Sequence, residues 1–201
     1  MTSRPGRGCP LSYGYAPADL ARAAAFEAGT LYVIGGLYGN APALAEILRR
    51  ARRERDAVTL VFNGDFNWFN ADASGFASIN GEVLRHTATR GNVETEIAGD
   101  DDAAGCGCGY PDFVGDAEVE RSNLIIERLR ETARAFPDLR TRLGALPERL
   151  VASVSGVRIG IVHGDAESLA GWGFSQELLR EPARQRRGER RHGEVAESGA
   201  G

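Results

Sequence analysis

The sequence predicts an α/β domain, on three observations. Short apolar runs rich in β-forming residues, at 31–34 and 58–62, flank an amphipathic stretch at 41–55, giving one strand–helix–strand unit. Two further runs, at 149–154 and 157–162, bracket Ser155-Gly156 and predict a β-hairpin. Polar turns containing glycine follow three of the strand-like runs, and the carboxyl ends of strands in an α/β sheet converge on one crevice.

At 201 residues, 42% apolar and 26% charged, the chain has the composition of one globular domain with a substantial core. A net charge of −4 argues against a mainly electrostatic nucleic-acid binder. Every basic residue is arginine, which together with abundant Ala and Gly reads as genomic base composition, not chemistry. No apolar run approaches the roughly 20 residues that span a bilayer, so no membrane partner is expected. Two early arginines without an apolar run after them predict no secretory signal. Cys9, Cys106 and Cys108 do not make a disulfide framework, so a cytoplasmic location is expected.

Taken in order, residues 1–28 read as an N-terminal leader, with Pro17 opening a short Ala-rich helix at 18–28. Leu31-Tyr32-Val33-Ile34, bounded by Gly35-Gly36, is a buried parallel strand. In 41–55, Leu44, Ile47, Leu48 and Ala51 share one face, Asn40 caps the start and Glu46–Arg50 is an i,i+4 pair. Val58-Thr59-Leu60-Val61-Phe62 is the second strand. A helix follows at 72–84, a short strand at 86–90, and a polar Gly/Asp/Cys loop at 98–112. Residues 118–136 form a helix with Leu124, Ile125, Leu129 and Ala133 as its stripe, and 138–146 a shorter one ended by Pro147. After Leu179 the periodicity stops and arginines crowd the chain, so 180–201 are expected to be a disordered tail.

Three side chains stand where strands end: Asp65 in Phe62-Asn63-Gly64-Asp65, Asn92 in Arg90-Gly91-Asn92, and His163 in Val162-His163-Gly164-Asp165. A carboxylate, an amide oxygen and an imidazole form a mixed donor set suited to a hydrolytic metal. Taken singly, each has a plain structural alternative as a turn residue or a buried histidine. Their shared placement beside glycine at strand ends favours a site. Gly35 to Asn40 leave free amides at a helix start, where an anion is stabilised, although neither Rossmann glycine spacing nor a P-loop lysine is present. Cys106-Gly107-Cys108 is a weak second metal locus, and Trp68 and Trp172 are expected in the core rather than on a pocket wall.

The order Gly-Asn-Ala-Pro-Ala-Leu (39–44), Asn-Gly-Asp (63–65), Arg-Gly-Asn-Val-Glu (90–94) and Val-His-Gly-Asp (162–165) resembles the calcineurin-like metallophosphoesterases, most closely their small bacterial single-domain members. The resemblance covers about residues 31–179, within an expected domain at 29–179. It implies a four-layer α/β/β/α sandwich with metal held at the strand ends, incomplete here at its C-terminus. It implies Asp65, Asn92 and His163 as metal ligands, and Tyr38, Gly39, Asn40 and Glu94 on the substrate side. No catalytic acid or base is assigned, because Val93 stands where many members carry a histidine. The chain also departs from the family at its first motif, where Gly36 and Tyr38 occupy the two ligand positions, and the final Gly-His-x-His motif is absent. A reading-frame change or truncation near 180–185 is the expected origin of that loss.

The reading is therefore a metal-dependent phosphoesterase, weak or mononuclear, acting on a small phosphate-containing substrate. Its cofactor is a divalent ion (Mn, Fe, Zn or Mg), one ion in preference to two. Two alternatives stand beside it: an inactive phosphate- or partner-binding relative of the same fold, and a nucleic-acid binder acting through the arginine-rich tail.

Overall fold

A computed structural model describes residues 4–22 and 25–180. The arginine-rich tail and the expectation placed on it lie outside the described residues, apart from Arg180. Among the described residues, six strands form two three-stranded sheets. In the first, β2 (Thr30–Gly35), β3 (Val58–Asn63) and β4 (Thr87–Thr89) run parallel, with Thr30 opposite Val58 and Val61 opposite Thr87. Parallel neighbours need crossovers, supplied by α2 (Ala41–Ala51) and α3 (Ala73–Val83). In the second sheet β5 (Arg149–Val154) lies between β1 (Ala25–Glu27), its parallel neighbour, and β6 (Val157–Val162), its antiparallel hairpin partner. The hairpin predicted around Ser155-Gly156 is present.

Alternation along β3 explains how the sheets pack. Leu60 and Phe62 point into the main core, shared with Phe76, Ile79, Ile97, Ile126 and Leu129 from the helices. Val61 points the other way and meets Ala152 and Ile161 of the second sheet, with Phe26, Leu31 and Leu150 around them. The helical residues of the main core cover the first sheet. Alongside the second, the described residues place α1 (Pro17–Arg22), whose Leu20 approaches Gly160, and much of β6 is exposed. The fold is thus mixed α/β with two small sheets.

Several local expectations are corrected. The helix expected at 18–28 stops at Arg22, and Ala25–Glu27 is a strand, paired with Val151 to Ser153. Phe26 gains burial between the sheets, which outweighs the helix propensity of an Ala-rich stretch. A helix absent from the sequence reading, α4 (Asn92–Ala98), begins directly after Gly91. In α5 (Asp116–Arg134) the inward face is Val119, Ile126, Leu129 and Ala133, while Leu124 is 65% exposed. The α2 helix ends at Ala51, short of the arginines at 52–55, and α6 (Pro137–Gly144) and α7 (Gln176–Leu179) complete the set.

Residues 4–16 are tied into the domain. Gly6 N donates to Ala104 O at 2.9 Å, and buried Tyr13 packs on Leu169. Tyr13 Oη donates to Glu96 Oε1, and Arg130 Nη2 pairs with Glu96 Oε2, both at 2.5 Å. Arg130 also donates to Asp101 O and Gly105 O, so one buried guanidinium holds the 98–112 loop. No helix among the described residues is long and apolar enough to cross a membrane.

Candidate metal centre

Asp65, Asn92 and His163 come together. Asp65 follows β3 in a tight turn and adopts a left-handed backbone, φ 53°. Its own N–H donates to Glu94 Oε2 at 2.7 Å, and its Oδ1 accepts from Val93 N at 3.1 Å. Two glycines make the approach possible. A β-carbon on Gly91 would lie 2.3 Å from Asp65 Oδ1, and one on Gly64 would lie 2.6 Å from His163 Nδ1. Glycine is the residue that allows such close backbone approach.

Each ligand's orientation is set by its second polar atom. His163 follows β6, and its Nδ1 lies 2.9 Å from Asn63 O. A carbonyl only accepts, so Nδ1 carries the hydrogen and Nε2 turns towards the crevice. Asn92 opens α4 and its Nδ2 donates to Cys106 O at 2.9 Å, which turns Oδ1 inward. Nε2 of His163 then lies 3.3 Å from Asp65 Oδ1 and 3.3 Å from Asn92 Oδ1. In the neutral ring all three atoms are acceptors. A cation relieves that arrangement, either a proton on the ring or a metal ion. Burial works against a charged His163, but the Asp65 carboxylate and the bonds to Asp65 and Asn63 outweigh it and raise its pKa from 6.5 to about 9.

The donor set of one carboxylate oxygen, one amide oxygen and one imidazole nitrogen fits a single divalent ion. Asn92 is necessary to it, since no group of three His, Cys, Asp or Glu side chains with metal-holding geometry occurs among the described residues. A second ion finds less support. The Tyr38 ring folds back over Gly36, where a β-carbon would lie 2.6 Å from the ring. The phenol thus fills the room a side chain at 36 would take. Burial, then the charge of Asp65, raises the Tyr38 pKa, so it presents a neutral phenol and not a phenolate.

The other expected site residues divide. Tyr38 lines the cleft beside Asp65, Asn92 and His163, a space of about 490 Å³. Asn40 does not line it: its Oδ1 accepts from Ala43 N at 2.9 Å and caps α2. Gly39 also lies off the cleft, turned against Asn70. Glu94 is fully buried and does not line the cleft. It accepts from the N–H groups of Asp65, Gly91 and Asn67 and from Asn67 Nδ2, so it fixes the turn that carries Asp65. Burial, then the Asp65 charge, raises its pKa. Asp165 accepts from Glu167, Ser168 and Gly173 N–H groups and shapes the loop after β6.

Trp68 and Trp172, expected in the core, line the cleft together with Tyr110 and Phe174. Their positions a few residues after Asp65 and His163 were the signal for this, and the 164–175 loop brings Trp172 to the cleft only through its fold. Cys106 and Cys108 are bonded as a disulfide and Cys9 is free, so in this state the pair offers no thiolates to a metal. Among the described residues, three of the four non-glycine residues with positive φ, Tyr38, Asp65 and Phe69, cluster here. Such conformations cost roughly 1–3 kcal/mol each and gather at functional sites.

The sequence matches no family model and no curated protein. Among solved structures it is similar to the hypothetical protein PH1004 from Pyrococcus horikoshii OT3, at 16% identity and a TM-score of 0.40. That likeness covers 67% of this chain, which spans about half of the other, 54%.

Proposed function

We propose that the protein is a metal-dependent phosphoesterase of the calcineurin-like type, built on a reduced form of the α/β/β/α sandwich and using one ion. The observation that carries the reading is the convergence of Asp65 Oδ1, Asn92 Oδ1 and His163 Nε2, with each of the two oxygens 3.3 Å from the imidazole nitrogen. They would hold the ion.

Bound there, a divalent cation supplies Lewis acidity, polarising a phosphoryl oxygen and making water nucleophilic near neutral pH. The chain's own groups do the rest. Asn63 O fixes the His163 tautomer, and Cys106 O fixes the Asn92 amide. Glu94 holds the Asp65 turn from beneath. Tyr38, as a neutral phenol at the cleft, is placed to donate a hydrogen bond to a phosphate oxygen. With one ion, stabilisation of the leaving oxygen is weaker by several kcal/mol than in a two-metal clamp, so slow turnover is expected.

The test is hydrolysis of a chromogenic aryl phosphate with Mn²⁺, Fe²⁺ or Zn²⁺. Metal-stimulated release that Asp65→Ala abolishes supports the enzyme. Metal binding without turnover would instead identify a relative that kept the scaffold and lost the chemistry.

A further inference from the structure

Beside Asp65, Asn92 and His163, the cleft is walled by aromatic rings from four separate parts of the chain. Tyr38 comes from the turn after β2, Trp68 from the turn after β3, Tyr110 from the 98–112 loop, and Trp172 and Phe174 from the loop after β6. Among the described residues, none that lines the cleft is an arginine, in a chain whose basic residues are all arginine. Away from Asp65, Asn92 and His163, the described lining thus offers mainly flat aromatic faces.

The rings are held in place. Trp172 Nε1 donates to Cys108 O at 2.9 Å, and its ring packs against Tyr110 at 5.7 Å and edge-on to Phe113 at 6.0 Å. On the other chain segments, Phe69 packs against Tyr38 at 6.3 Å and Trp68 at 5.6 Å. Tyr38 and Phe69 both adopt left-handed backbone, φ 53° and 65°, which bulky residues avoid unless the surroundings impose it. Tyr38 remains 47% exposed and Phe174 58% exposed. Trp172, held by its bond to Cys108 O, and Tyr38, held on left-handed backbone, thus keep ring faces on the cleft where another flat surface can meet them.

We infer that this aromatic wall binds a planar aromatic group carried by the phosphate ester, so that the substrate is an aromatic or nucleobase-bearing phosphate and not a sugar or aliphatic one. The inference rests on the phosphoesterase reading for the phosphate, but the aromatic contact itself needs no metal. The cleft, at about 490 Å³, is within the range of small-molecule sites.

Both tryptophans of the chain line the cleft, so intrinsic fluorescence reports on this site alone. Binding of adenosine monophosphate and of ribose phosphate to the full chain is compared with Mn²⁺ present, and binding of adenosine with the metal chelated. Adenosine monophosphate is expected to quench the emission and bind about tenfold or more tighter than ribose phosphate, the contribution of one stacked base. Adenosine alone is expected to quench without metal. Trp172→Ala, read through Trp68, is expected to remove the preference, and Trp172→Phe, which keeps a ring face, to retain most of it. Equal affinities, absence of quenching, or a preference that survives both Trp172→Ala and Tyr38→Leu overturns the inference. Equal affinities with metal-stimulated hydrolysis of both esters would overturn the aromatic subsite while leaving the phosphoesterase standing. Adenosine binding without any turnover would do the reverse.

Discussion

The carboxylate of Asp65 lies against Gly91 so closely that a β-carbon there would sit 2.3 Å from Oδ1. The β3 and β4 strand ends are therefore joined by a contact that no other residue at 91 could make without displacing the carboxylate. Gly91→Ala is expected to cost about 1–3 kcal/mol, as overpacking does. It is also expected to weaken Mn²⁺ binding by about tenfold or more through the shift of Asp65. Urea denaturation and calorimetric titration measure the two effects, and unchanged metal affinity would refute the coupling.

Glu94 is the buried acceptor for four N–H groups around the same turn. Glu94→Gln replaces an acceptor oxygen by an NH₂ that faces donors. The expected loss is about 1–3 kcal/mol for the unsatisfied groups. Metal affinity should fall with stability, because the turn and not a ligand is damaged. Retained metal affinity at reduced stability would assign Glu94 to folding alone.

Asn40 tests the opposite assignment. Its side chain caps α2 through Ala43 N and lies off the cleft. Asn40→Ala should lower stability by about 1 kcal/mol, the worth of an N-cap. A calorimetric titration with Mn²⁺ should give the wild-type affinity, and a clear weakening would return Asn40 to the site.

Metal itself should stabilise the fold. An ion bound only by the native state adds about 2.7 kcal/mol at a hundredfold excess over its Kd. Thermal melts with added Mn²⁺ should rise and EDTA should reverse them. Asp65→Ala should melt independently of both, and a metal-dependent melt in that variant would locate the ion elsewhere.

The pair Arg130–Glu96 is buried on both sides, with side chains 8% and 7% exposed. Arg130→Ala strands a buried carboxylate and is expected to cost about 3–5 kcal/mol. Tyr13→Phe, which removes one hydrogen bond to the same carboxylate, should cost about 1 kcal/mol. Equal losses in the two variants would contradict the network.

Periodicity and strand-end placement were legible in the chain. The strand-like runs at 58–62 and 157–162, the amphipathic face of 41–55 and the Ser155-Gly156 turn are local patterns, and they placed Asp65, Asn92 and His163 at the strand ends that converge. The Asn40 cap was legible for the same reason. Tertiary structure alone decided the rest. Ala25–Glu27 became a strand because Val151 to Ser153 pair with it and Phe26 packs, partly buried, between the sheets. Glu94 left the substrate side because the amides of Asp65, Gly91 and Asn67 surround it. Trp172 became part of the cleft wall because Cys108 O holds its indole there. Local pattern is set by neighbours along the chain, whereas burial and pairing are set by residues far away in it, and these three outcomes depend on the latter.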